Sequence, residues 1–215
     1  NRILLAVPLN LLITLLMAYP FSKENKRFRA RPYYFWFIMI STMFGGGMIP
    51  TYMVVKATGL FNTIWAMIIP GLISMGNCTI LMNCFRNLPK ELEESAFIDG
   101  AGHLTILFKI FIPLSKATLA TLTLFIFVGH WNEWFSGLIY FKEQSRQPLQ
   151  TYLQTILTAP DTRFMTPEEL AALAKRSSRA INAAQIVVAT VPIFIVYPFL
   201  QKYYTKGIVV GSVKG

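Results

Sequence analysis

Glu94-Ser95-Ala96-Phe97-Ile98-Asp99-Gly100-Ala101, running on to Ile112-Pro113-Leu114, decides how this chain is read. It lies in a polar island from Arg86 to Lys116 that carries four acids and four bases between two long apolar runs. Asn87 can cap a helix, and Pro89 suits an early helical position. Glu91, Glu93 and Glu94 then sit near the positive end of that helix. Leu88, Leu92 and Ser95/Ala96 recur at helical spacing and make a narrow apolar strip of small residues. Asp99-Gly100 ends it, because glycine accepts the left-handed conformation that closes a helix. Ala101-Gly102 keeps the turn slim, His103 to Phe111 starts a second limb, and Pro113 marks the return to apolar sequence. Two short helices meeting at an elbow are predicted.

Such a helix could lie on lipid headgroups. Its apolar strip is small and its ends are acidic, whereas surface-lying helices favour basic faces and bulky apolar ones. Docking into a cleft on a soluble partner fits better.

Outside the elbow the chain is 54% hydrophobic and 14% charged, against about a quarter charged in soluble domains. Apolar runs at 3–21, 33–55, 63–83, 117–140 and 181–200 are each long enough to cross a bilayer, which takes about 20 helical residues. Lipid offers no partner for unpaired backbone groups, so each span is expected to be helical. Asn1-Arg2 leads straight into apolar sequence without Met or a signal-like region, which suggests an incomplete N-terminus.

The net charge of +10 does not indicate a nucleic-acid partner, since the bases fall in short loops and not on one basic face. Lys23, Lys26, Arg27, Arg29 and Arg31 face Glu24 alone, and Lys202, Lys206 and Lys214 have no acid beside them. Positive charge beside spans marks the cytoplasmic side. It assigns 22–32, 84–116 and 201–215 inside, leaving 56–62 and 141–180 outside. Cys78 and Cys84, six apart on one apparent helix, read as small buried residues and not as a metal pair.

Several positions within the spans carry two readings. Gly45-Gly46-Gly47 with Pro50 reads as a close helix contact through small residues, as a helix interrupted along a substrate path, or as both at once. Asn77 is either interhelical glue or a substrate contact. Trp131-Asn132-Glu133-Trp134 ends the fourth run about 20 Å from its cytoplasmic end. Glu133 is the one acid within a span, which is a functional hypothesis by default. Aromatic faces with amide and carboxylate groups suit a sugar, while interfacial Trp anchoring with Glu133 bonded to a neighbouring helix accounts for the same residues. In the loop 141–180, Thr166-Pro167-Glu168-Glu169 is a capping box predicting a helix over 167–180 as a contact for an external partner. An intramembrane hydrolase is disfavoured, because His130 and Glu133 belong to no HExxH and no GxSxG occurs.

Glu94-Ser95-Ala96, Gly100 six residues after Glu94, and the Ile112-Pro113 pair together resemble the coupling loop of bacterial ABC-importer permeases, with Ser95 where that family usually has Ala. Gly46-Gly47-Met48-Ile49-Pro50, Gly59-Leu60-Phe61-Asn62 and the end Lys206-Gly207-Ile208-Val209-Val210-Gly211 are similar to those of carbohydrate-uptake, maltose-type permeases, in their LplC-like branch. The resemblance spans essentially the whole chain. It implies an all-α polytopic helical bundle of the type I importer (MetI-like) fold in the bacterial cytoplasmic membrane, with five spans here and six in a full protein. It implies a single transmembrane domain over 1–215, a coupling loop at 84–116 and an extracytoplasmic loop at 141–180. The implied partners are a second permease subunit, two ATP-binding subunits, an extracytoplasmic solute-binding protein and an oligosaccharide. Glu94, Ser95, Ala96, Asp99, Gly100, Ala101 and Pro113 match the docking motif. Asn77, Trp131, Asn132, Glu133 and Trp134 are the candidates for the substrate path. This chain lacks GxxxxGK[ST], so ATP and Mg are expected on the partner ATPase. The rival is an ATP-independent secondary transporter or channel, which calls for ion-coupling acids beyond Glu133. Acidic sugars would suit the six bases of 141–180, although four acids share that loop.

Overall fold

A computed structural model describes the backbone of residues 2–25, 27–157 and 178–211, all of it helix and turn without a strand. The first helix, α1 (Arg2–Ser22), is unbroken. At 1.5 Å per residue it spans about 31 Å, the thickness of a bilayer core. Ala6, Asn10, Thr14, Ala18 and Phe21 are buried along one stripe at helical spacing, while Leu4, Leu5, Leu12 and Leu16 are exposed. Small and polar residues facing inward with leucines outward is the arrangement for a helix whose other face meets lipid.

The second apolar run is not one helix, contrary to the span predicted over 33–55. It divides into α2 (Arg31–Met43) and α3 (Met48–Ala57), which meet at 110°. Gly47 takes φ 83°, ψ −175° at the break, a region open essentially to glycine alone. A Cβ on Gly45 or Gly47 would meet nothing within 4 Å. The glycines therefore stand at an interruption, and a Cβ on Gly46 would meet Pro50 Cβ at 3.2 Å within the same break.

The third run breaks likewise. α4 (Trp65–Ile68) and a 3-10 turn Ile69–Gly71 meet α5 (Met75–Arg86) at 54°. Asn10 of α1 donates from Nδ2 to the Gly71 carbonyl at 3.3 Å, satisfying an acceptor that the broken helix leaves open. Ser74 caps α5 by accepting from the Asn77 N–H at 3.3 Å. Asn77 is thus in the first turn of α5 and not in the middle of a continuous span.

Next comes α6 (Lys90–Ile98). The caps differ from expectation. Asn87 closes α5, its N–H bonding back to the Asn83 and Cys84 carbonyls, and Pro89 with ψ 129° is the N-terminal flank of α6. Gly100 has φ 78°, and the Ala101 N–H returns to the Ala96 carbonyl at 2.9 Å, so the elbow closes as the glycine predicts. The second limb, α7 (His103–Ile106), runs through a widened π turn, Leu107–Phe111, into α8 (Ile112–Leu114). Pro113 supplies no N–H to the preceding turn, and the π turn lies directly before it.

The limb meets α9 (Lys116–Asn132) at 86°. α9 stops eight residues short of the predicted 140: Glu133 is extended, with ψ 113°, and α10 (Phe135–Tyr140) follows. A 3-10 turn at Gln144–Arg146 and α11 (Leu149–Leu157) come next. The capping box and the helix predicted from 167 lie outside the described residues up to 177. From there α12 (Ser178–Gly211) carries the last apolar run, Ala183–Phe199. By length and composition, α1 alone crosses a membrane as a single straight helix among the described residues, and three bent pairs reach that length together.

The main core joins α1, α5, the elbow and α9 through residues such as Ala18, Leu81, Phe85, Ile106, Leu107 and Leu122. A smaller core at the other end gathers Val55, Ala66, Met67, Tyr140 and Phe141. Cys78 is buried, and Cys84 accepts from Thr118 Oγ1 at 3.2 Å.

Candidate functional site: an elbow and the polar cluster at the opposite end

The elbow is fastened to α1 by charge. Glu93 and Lys23 are both buried, with Nζ 2.6 Å from Oε1. Arg27 adds 3.3 Å to Glu93 and 3.0 Å to Glu94, and Lys90 pairs with Glu24. The Lys23 ammonium lies 3.9 Å from the Tyr19 ring centre and 4.3 Å from that of Phe111, distances at which a ring face attracts a cation. Burial pushes the Lys23 amine below the usual lysine range, and the Glu93 carboxylate offsets this in part. Tyr19 Oη and His103 Nδ1, 3.2 Å apart, tie the second limb to the same helix. Sequence reasoning missed this clamp. Lys23 and Arg27 read only as markers of a membrane side, and nothing local signals that Glu93 points inward.

The predicted strip on α6 divides between two faces. Glu93 and Ala96 face the core, Leu88 packs against it, and Leu92 is exposed. Outward lies a groove of 380 Å³ lined by Leu92, Ser95, Ala96, Asp99, Pro113 and Leu114 among others. Four of the seven motif residues therefore share one concave surface. Glu94 is half-exposed and held by Arg27. Gly100 and Ala101 form the turn. Ile98 is 87% exposed and Leu104 65%, apolar knobs on either side of the elbow.

At the far end, Glu133 pairs with Arg2 at 3.0 Å. Arg2 Nη1 also donates to the Glu133 carbonyl, and Nη2 donates to His130 Nδ1, each at 3.3 Å. Glu133 Oε1 accepts from the Ser136 N–H at 2.7 Å, which caps α10 across the break. Glu133 is thus bonded to a neighbouring helix, α1, through Arg2. Trp131 donates to the Ala189 carbonyl of α12 at 2.7 Å and stacks on Phe127. Asn132 and Trp134 are exposed beside the break. Asn77 is not among these residues. The missed partner is Arg2, 131 positions away in sequence. Thr151 donates to the Trp134 carbonyl at 2.7 Å and fixes α11 over α10.

These features describe a polytopic helical permease: broken spans, an exposed elbow at one end and a polar cluster at the other. Residues 3–210 match the family described as binding-protein-dependent transport system inner membrane component. The chain belongs to that family, and so is the membrane-embedded subunit of an ABC importer that works with an ATPase and a binding protein. It is 42% identical to Protein LplC of Bacillus subtilis over 95% of this chain and 68% of the relative. It is 40% identical to the polygalacturonan/rhamnogalacturonan transport system permease protein YtcP of the same organism, over 96% of this chain and 71% of the relative. A crystal structure of a bacterial ABC transporter involved in the import of the acidic polysaccharide alginate superimposes with a TM-score of 0.78 and 30% identity, covering 94% of this chain and 73% of that one.

Proposed function

We propose that this chain is one of two homologous permease subunits of a bacterial importer that carries an oligosaccharide across the cytoplasmic membrane, fed by an extracytoplasmic solute-binding protein and driven by two ATP-binding subunits. The observation that carries the proposal is the elbow: an apolar, grooved surface at the basic end of the bundle, held to α1 by a buried ion pair. Exposed Ile98 and Leu104 beside a groove call for a protein partner. Support for a carbohydrate cargo comes from the relatives, whose names speak of polygalacturonan, rhamnogalacturonan and alginate.

In this reading the ATPase subunit grips Leu92, Ser95, Ala96, Asp99 and Pro113. Glu94 faces it, and Gly100-Ala101 holds the elbow's angle. Closure of the ATPase pair on ATP and Mg pushes the elbow, which rocks α1 and α9 and opens the bundle first outward and then inward. Trp134 and Asn132 meet the sugar at the break after α9, while Glu133 and the bonded N–H of Trp131 hold that break in shape and Asn77 stands in the interrupted third span.

The experiment is reconstitution with the partner permease, ATPase and binding protein. ATP-dependent uptake of a polysaccharide-derived oligosaccharide is expected. Gly100→Pro and Glu94→Lys should insert normally yet hydrolyse ATP without uptake. Uptake without ATP, or undiminished uptake in both variants, would refute the proposal.

A further inference from the structure

Resting on that reading, we infer that the cleft beneath Arg146 is a binding site for a carboxylate-bearing sugar residue, so that the cargo is an acidic oligosaccharide. The cleft holds 630 Å³ and is lined by Arg2, His130, Trp131, Arg146, Gln147 and Gln150, with apolar residues such as Met67 and Phe141 between them. Its volume falls within the roughly 300–1,000 Å³ of small-molecule sites. It opens at the end opposite the elbow, where a binding protein delivers cargo.

Unsatisfied polar atoms concentrate there. Among the described residues six buried side-chain nitrogen or oxygen atoms have neither a hydrogen-bond partner nor an ion pair, and Arg2 Nε, Gln147 Oε1 and Gln150 Nε2 all belong to this one wall. The Arg2 side chain is 10% exposed. Leaving a buried polar group unmatched is costly, and a pair of amides offering one acceptor and one donor is met by hydroxyl groups, which supply both. The indole of Trp131 is fixed by its bond to Ala189, an apolar plate for the C–H face of a pyranose.

Charge selects among sugars. The lining contains two arginines and no acid. Arg2 is neutralised by Glu133, whereas Arg146 is exposed and forms no ion pair with a described residue. A guanidinium at the mouth of a hydroxyl-binding cleft recognises a carboxylate through paired N–H donors.

The test uses the complete transporter in sealed right-side-out vesicles with Gln150→Cys in a Cys84→Ser background, labelled from the outer side by an impermeant maleimide. Cys78 is buried and stays unlabelled, and Cys84, the partly buried thiol, is removed by the background substitution. Trigalacturonate is expected to protect the introduced thiol at a concentration about tenfold lower than its neutral methyl ester does, as befits a hydrogen bond to a charged group. Arg146→Gln should abolish that difference. Absence of labelling, equal protection by the two probes, or a preference that survives Arg146→Gln would each overturn the inference. Uptake measured on the unmutated transporter separates the two claims: ATP-driven uptake of any oligosaccharide sustains the importer reading even where the introduced thiol shows no acid preference.

Discussion

Lys23 Nζ sits 2.6 Å from Glu93 Oε1, and both side chains are 8% exposed. The pair joins the end of α1 to the inward face of α6. α1 is also the one straight span described, and its other end is held by Arg2–Glu133 at 3.0 Å. α1, clamped at both ends, links the elbow to the break after α9. Taking one partner from a buried pair costs about 3–5 kcal/mol, since the other charge stays desolvated. Lys23→Met and Glu93→Gln are each expected to lower the unfolding midpoint of the purified transporter and the sugar moved per ATP. The double change Lys23→Met with Glu93→Met removes both desolvated charges and should restore more of the midpoint than either single variant keeps. Single variants that move as much sugar per ATP as the native protein would show that the clamp plays no part in coupling.

Gly100 is a case of backbone and not of space. Its φ is 78°, and a Cβ would meet nothing within 4 Å. Gly100→Ala therefore carries only the left-handed cost, about 1–2 kcal/mol, and Gly100→Asn less. Coupling measured as uptake per ATP should fall in the order Gly, Asn, Ala, Pro. An Ala variant as well coupled as the native protein would remove the geometric argument for this glycine.

Gly137 shows the opposite case. A Cβ there would lie 2.1 Å from Thr151 Oγ1 and 2.8 Å from Pro148 Cδ. Gly137→Ala should push α11 off α10 and break the Thr151–Trp134 bond, an overpacking cost of about 1–3 kcal/mol. Faster proteolysis within 144–157 from the outer side is the readout. Unchanged cleavage would mean that α11 accommodates the methyl by a small shift.

The Arg2–Glu133 pair supports a non-additivity test. Arg2→Met leaves the Glu133 carboxylate half-buried without its cation, and Glu133→Gln leaves Arg2 charged and covered. Each single change should destabilise more than the double change Arg2→Met with Glu133→Met, because the double removes both desolvated charges. Additive losses of thermal midpoint would argue that the two residues act independently.

Much of the architecture was legible because membrane physics writes it locally. Five apolar runs each carry helix, the triple glycine marks one of the breaks, and Gly100 closes the elbow where the chain places it. The break at Glu133-Trp134 has no glycine or proline to announce it, and so 117–140 reads as one span. The strip on α6 reads as one face in the sequence because spacing alone cannot tell an inward glutamate from an outward leucine.

What the sequence determined by itself was the helical class, the rough span positions and the elbow, since each follows from the solvent a segment meets or from the backbone freedom of one residue. What only the tertiary structure decided was which charges meet. Lys23 finds Glu93 from 70 positions away and Arg2 finds Glu133 from 131. No periodicity spans such distances, because the energy of a buried ion pair depends on helices first packing to bring the two charges together.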